Sequence, residues 1–150
     1  MRVSVIGGSS IGPETAAVAA ELGERLAERG HTVVCGGLGG VMEAVCRGAR
    51  EAGGETIGIV PTDDRGDANP HVTTPIATGL GHARNALVVM NGDAAVAVDG
   101  GNGTLSEIGL ALAQGRPVAG IDTHDVDGVA AVDSPAAAVA YVEDAVGPDW

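Results

Sequence analysis

Short apolar runs alternate along the chain with longer stretches whose apolar residues recur every three or four positions. The β-branched run at 2–6, ending on Gly7 and Gly8, predicts a first strand. Ala16, Ala20, Gly23 and Ala27, flanked by Val18, Leu22 and Leu26, predict a helix over 14–28 that stops at Gly30. Pro13 and Glu14 suit its start. The same alternation predicts strands at 32–35, 55–60, 71–76, 93–98 and 116–121, and an edge strand at 129–132. It predicts helices at 41–52, 82–90, 105–114 and 135–146. Residues 62–70 and 122–128 are acidic and rich in turn formers, and 62–70 reads as an exposed, solvated loop.

Short apolar strands separated by helices imply a parallel sheet covered on both faces. The expected fold is therefore α/β: a Rossmann-like, doubly wound, mostly parallel sheet flanked by helices, in a single domain over 1–150. Glycine loops follow at least three of the strands. Ligands of open α/β sheets bind at the C-terminal strand ends, so residues 8–10, 36–40 and 100–104 should meet along one edge.

The stretch Asp99, Gly100, Gly101, Asn102, Gly103, Thr104, Leu105, Ser106, Glu107 carries the most chemistry. It reads as strand end, glycine turn and helix start. Thr104 suits an N-cap and Glu107 lies three residues on, the spacing of a capping box. Free N–H groups at such a start, with the helix dipole, make an anion site, and the glycines let a phosphate approach. Gly36, Gly37, Gly39 and Gly40 form a second candidate loop, with Glu43 in the following helical turn. Gly8, Ser9 and Ser10 form a third, whose hydroxyls can donate to phosphate. The dinucleotide fingerprint is not met, since Met42 stands where the third glycine would fall after Gly37 and Gly39, and a Walker lysine is impossible in a chain without lysine.

Charge changes the picture. Twenty acidic residues face eight arginines, for a net charge of −12. That balance argues against nucleic-acid partners, which need a basic stripe, and the absence of phenylalanine argues against a base-stacking platform. Disorder does not fit a chain that is 45% hydrophobic with regular periodicity. An acidic surface of this kind suits a salt-rich cytoplasm, and the balance resembles that of halophilic archaeal proteins. With no signal-type segment and no apolar run near ~18 residues, a soluble, cytoplasmic protein without a membrane partner is expected. Cys35 and Cys46 read as buried thiols, and four scattered histidines make no metal site. The low polarity of 82–90 points to a homo-oligomer, a dimer or tetramer.

Three segments together carry a family resemblance: Gly36, Gly37, Leu38, Gly39, Gly40, Val41, Met42, Glu43, Ala44; then Arg84, Asn85; then 99–107. The chain resembles the LOG-type superfamily of Rossmann-like proteins, formerly described as lysine-decarboxylase-like, which includes cytokinin 5′-monophosphate phosphoribohydrolases. Its short length and the Gly40, Val41, Met42, Glu43, Ala44 segment resemble more the branch with molybdenum cofactor carrier proteins. DNA-processing protein A is a more distant relative. In the hydrolases the glycine loop holds the nucleotide phosphate, which implies that role for Gly100, Gly101, Gly103 and Thr104. The resemblance also implies that Glu107 is the catalytic carboxylate and Arg84 its partner, through pairing with it or contact with phosphate. Two departures stand out: Asp99 where the hydrolases carry proline, and Asn85 where they carry lysine.

Three functions follow as expectations. The first is a carrier or binding protein for a phosphorylated small molecule such as molybdenum cofactor, favoured by the departures and the short length. The second is a nucleoside 5′-monophosphate phosphoribohydrolase, in which Glu107 would stabilise an oxocarbenium-like sugar. The third is a nucleotide-sensing interaction module. None requires a resident cofactor; a nucleotide monophosphate or molybdenum cofactor would be the bound ligand.

Overall fold

The computed structural model describes residues 1–150. β1 (Arg2–Gly7) is followed by α1 (Pro13–Glu28), β2 (Thr32–Cys35) by α2 (Val41–Glu51), and β3 (Thr56–Val60) by β4 (Thr74–Ala77). Then come α3 (Asn85–Met90), β5 (Ala94–Val98), α4 (Asn102–Ala113), β6 (Val118–Ile121), β7 (Val129–Val132) and α5 (Pro135–Val146). The seven strands form one sheet in the order β4-β3-β2-β1-β5-β6-β7, and every pairing is parallel. The α/β expectation holds, with a sheet that is wholly parallel.

Alternation along β5 explains the two covered faces. Ala94, Val96 and Val98 pack with Val3, Val5, Leu22 and Val45, whereas Ala95 and Ala97 pack with Ile6, Ile59, Val88 and Ile108. A strand apolar on both sides must be covered on both sides. α1, α2 and α5 supply the first cover, and α3 and α4 the second. The strand order reverses between β1 and β5, where Gly7 pairs with Val98. The glycine-rich segments that leave these two strands therefore emerge side by side at the switch point, where a doubly wound sheet leaves a crevice.

Two elements differ from their expected bounds. The strand expected at 71–76 begins at Thr74, because Thr56 and Thr73 clasp each other just before it. The Thr56 N–H donates to Thr73 Oγ1 at 2.8 Å, and the Thr73 N–H donates to Thr56 Oγ1 at 2.9 Å. The helix expected at 82–90 splits into a 3-10 turn, Gly81–Arg84, and the short α3. The N–H of Ala83 reaches Leu80 O at 3.3 Å, and the tightened chain carries the Arg84 side chain inward. No helix is long and apolar enough to cross a membrane. Cys35 and Cys46 are buried free thiols with Sγ atoms 3.5 Å apart, as expected.

Candidate functional site

The start of α4 departs from the capping-box expectation. Asp99 and Gly100 both take positive φ, 54° and 117°, and reverse the chain so sharply that Gly101 is already the N-cap. The Gly101 carbonyl accepts the first helical N–H, from Leu105, at 3.1 Å. Thr104 is thus the third helical residue, not the N-cap. It is only 3% exposed, and its side chain fills the space a Cβ on Gly100 would occupy. Glu107 lies in the second turn and does not reach back to cap the helix. The correction has a chemical consequence: the N–H groups of Asn102, Gly103 and Thr104 have no backbone acceptor, and the Glu107 carboxyl is released from a structural task.

Asn102, Gly103, Thr104 and Glu107 line a cleft of about 670 Å³. Gly8 and Ser9 from the first loop line it, as do Gly36 from the second and Gly101, Asn102, Gly103 and Thr104 from the third. Arg84 and Glu107 line it as well. The three loops meet as expected. The Val41 N–H donates to Gly8 O at 2.9 Å, and a Cβ on Gly40, whose φ is 66°, would overlap that carbonyl.

Several candidates stand behind the cleft instead of facing it. Gly37, Gly39, Gly40, Glu43 and Gly100 are not on its wall, and Ser10 is exposed outside it. Gly37, Gly40 and Gly100 serve the backbone path, each with positive φ. Pro61, Thr62 and His82 do line the cleft. The 62–70 loop read as merely solvated, yet its first residue borders the site because it leaves the C-terminal end of β3. That position in the predicted strand–loop alternation was the available signal.

Arg84 is 7% exposed and tied to the protein backbone. Its Nε donates to Ile59 O at 2.8 Å, its Nη2 to Gly36 O at 3.3 Å, and its Nη1 to Asn85 Oδ1. It makes no ion pair with Glu107; the salt bridges are Arg25–Glu21, Arg29–Glu143 and His31–Glu143. Burial lowers the Arg84 pKa, opposed by the charge of Glu107. A guanidinium remains charged at neutral pH all the same. Burial pushes Glu107 the other way, up to about 7, with the Arg84 charge pulling only partly back. Arg84 therefore does not hold Glu107 fully ionised. Near neutral pH the carboxyl exchanges between a proton donor and an anion, the condition a general acid or base needs. No group of three or more His, Cys, Asp or Glu side chains is arranged to hold a metal ion.

The sequence matches the SLOG cluster4 family over residues 1–146. An uncharacterized protein of Archaeoglobus fulgidus is 42% identical over 142 residues, covering 94% of this chain and 93% of that protein. The solved structure of the molybdenum cofactor binding protein from the phototrophic bacterium Rippkaea orientalis superposes with a TM-score of 0.91 at 32% identity, covering 97% of each chain. The cytokinin riboside 5′-monophosphate phosphoribohydrolase of Mycobacterium tuberculosis is 37% identical over 112 residues, covering 72% of this chain and 57% of the enzyme. The chain thus spans little more than half the length of that relative.

Proposed function

The chain belongs to the SLOG cluster4 family, and on that premise we propose that it binds a phosphate-bearing small molecule of the molybdenum cofactor or nucleotide monophosphate type. The observation that carries this reading is that Asn102, Gly103 and Thr104, whose N–H groups have no backbone acceptor, line the 670 Å³ cleft together with Glu107. A phosphate there would meet backbone donors and the positive end of the α4 dipole. Gly8 and Ser9 border the same space, and the backbone of Gly36 is tied to Arg84. A carboxyl that titrates near 7 can donate to or accept from the edge of a pterin or purine ring. Near-complete mutual coverage with a molybdenum cofactor binding protein favours the carrier role over turnover.

The second reading is a phosphoribohydrolase, favoured by Glu107 lying in the cleft beside the phosphate loop. Its ionised carboxylate would stabilise positive charge at the anomeric carbon and orient the attacking water. We also propose a homo-oligomeric state and an acidic surface adapted to salt.

Calorimetry with AMP and with a pterin phosphate tests the binding reading. Binding is expected to vanish in Gly101→Val. A Cβ at Gly101 meets nothing within 4 Å, so the added bulk fills the cleft without disturbing the core. Unchanged affinity in that variant refutes the phosphate loop. Incubation with AMP separates the carrier from the enzyme, since only the enzyme releases adenine and ribose 5-phosphate.

A further inference from the structure

We infer that Thr123 and His124, in the loop after β6, are positioning residues that aim the amides of the 99–104 loop at the ligand, a role that rests on the phosphate-binding reading above. Asp99 and Asp122 are the two non-glycine residues with positive φ, 54° and 47°. They occupy equivalent places on neighbouring strands, because Val98 of β5 pairs with Ile121 of β6. Aspartate tolerates this left-handed backbone better than most side chains, and here surrounding hydrogen bonds hold it in place.

Three such bonds reach the 99–104 loop from β6 and the segment after it. The Asp99 N–H donates to Ile121 O at 3.1 Å. Thr123 Oγ1 donates to Asp99 O at 2.7 Å. His124 Nε2 lies 2.9 Å from Gly101 O. A carbonyl only accepts, so Nε2 carries the proton. The trans peptide is planar, with its C=O and N–H pointing in opposite directions. Holding the Asp99 carbonyl therefore fixes the Asp99–Gly100 peptide that leads into the cleft wall, and holding the Gly101 carbonyl aims the N–H of Asn102, whose residue lines the cleft. The same Gly101 carbonyl receives the Leu105 N–H and starts α4, so His124 also fixes where the helix begins.

Thr123 is itself held. A Cβ on Gly120 would lie 2.6 Å from Thr123 Cγ2, so the bare glycine within β6 leaves the space that the threonine methyl fills. The hydroxyl is thereby turned toward β5. The two residues of this clamp, Thr123 and His124, also line a smaller cavity of about 250 Å³, which shares no lining residue with the cleft.

The test pairs AMP calorimetry with amide hydrogen exchange on the whole chain. Thr123→Val and His124→Leu should each weaken AMP binding about fivefold, the usual effect of one lost positioning hydrogen bond. Thr123→Ser and His124→Gln, which keep a donor, should restore it to within about twofold. The Asp99 and Leu105 amides should exchange faster in Thr123→Val and His124→Leu, while Val33, bonded to Glu55 O in the distant β2 region, is unchanged. If the wild type binds AMP and all four variants bind equally well, the clamp is refuted and the binding reading stands. If the wild type binds none of AMP, a pterin phosphate and inorganic phosphate, the binding reading fails. Exchange then decides the clamp: faster exchange at Asp99 and Leu105 supports it as the loop's restraint, and unaltered exchange overturns it.

Discussion

Glu107 sits at the balance of two opposing effects. Burial raises its pKa to about 7 against the pull of Arg84, so the folded protein holds a proton that the unfolded chain, with an ordinary value of 4.5, has already lost. Folding stability therefore falls as pH rises from about 4.5 to 7, and levels off above that. The whole effect is on the order of 3 kcal/mol. Glu107→Gln carries no such charge. Urea titrations from pH 5 to 8 should show the variant gaining on the wild type as pH rises, and parallel curves would contradict the burial of Glu107. Ligand binding should follow the same proton. A neutral Glu107 does not repel a phosphate, so the wild type should bind AMP more tightly as pH falls from 8 to 6, with Asp99 keeping the affinity modest throughout. In Glu107→Gln that pH dependence should flatten in calorimetry. If the chain is a hydrolase, the same variant should still bind AMP but release no adenine, because the amide cannot supply negative charge.

At the scale of elements, the packing of the helices depends on close approaches that only missing side chains permit. α1 and α2 touch backbone to backbone: a Cβ on Gly48 would overlap the Ala20 carbonyl, and one on Gly23 would overlap that of Val45. Gly48→Ala should force the helices apart and cost about 1–3 kcal/mol in urea unfolding, despite the better helix propensity of alanine. A variant as stable as the wild type would show that the helices separate freely. Much of this architecture was legible. Ser134 followed by Pro135 marked the start of α5, and the Ser134 Oγ does accept the Ala137 N–H at 3.1 Å. β2 and β7 lie where their apolar runs end in turn formers. The start of α4 was misplaced because Asp99 followed by Gly100 marks a turn but not how far it carries the chain, and two successive positive φ angles bring the N-cap forward to Gly101. Nor could the sequence reveal that Arg84 spends its donors on Ile59 O and Gly36 O, carbonyls 25 and 48 residues away. Those bonds exist only once β2 and β3 lie side by side and the 3-10 turn delivers the arginine between them. Glu107 was legible as a candidate, but its release from capping followed from two backbone angles, not from its spacing to Thr104.

For the molecule as a whole, twenty acidic residues oppose eight arginines, and the structure spends those arginines sparingly on compensation. Arg84 is buried against carbonyls, while Arg25 and Arg29 pair with Glu21 and Glu143. Most of the negative surface is left unpaired, and the proposed salt adaptation rests on ions screening its repulsion. The Debye length is ~30 Å at 0.01 M salt, long enough for carboxylates across this domain to act on one another, and ~3 Å at 1 M. The melting temperature should therefore climb steadily from dilute buffer to molar sodium chloride; a flat profile would remove the inference of salt adaptation. Self-association should follow the same dependence. Met90 at the end of α3 and Leu105 in α4 are 51% and 42% exposed, large apolar side chains on the two helices that cover one face of the sheet. Burying them against a second copy would bring two chains of net charge −12 together. At low ionic strength that repulsion opposes the apolar gain, so sedimentation at micromolar concentration should show monomer in dilute buffer and dimer or tetramer in molar salt. Met90→Glu should hold the chain monomeric even in molar salt without changing its melting temperature as a monomer, because position 90 is outside the core. A monomer under every condition would show that these apolar side chains face water, and that the second face of the sheet needs no partner.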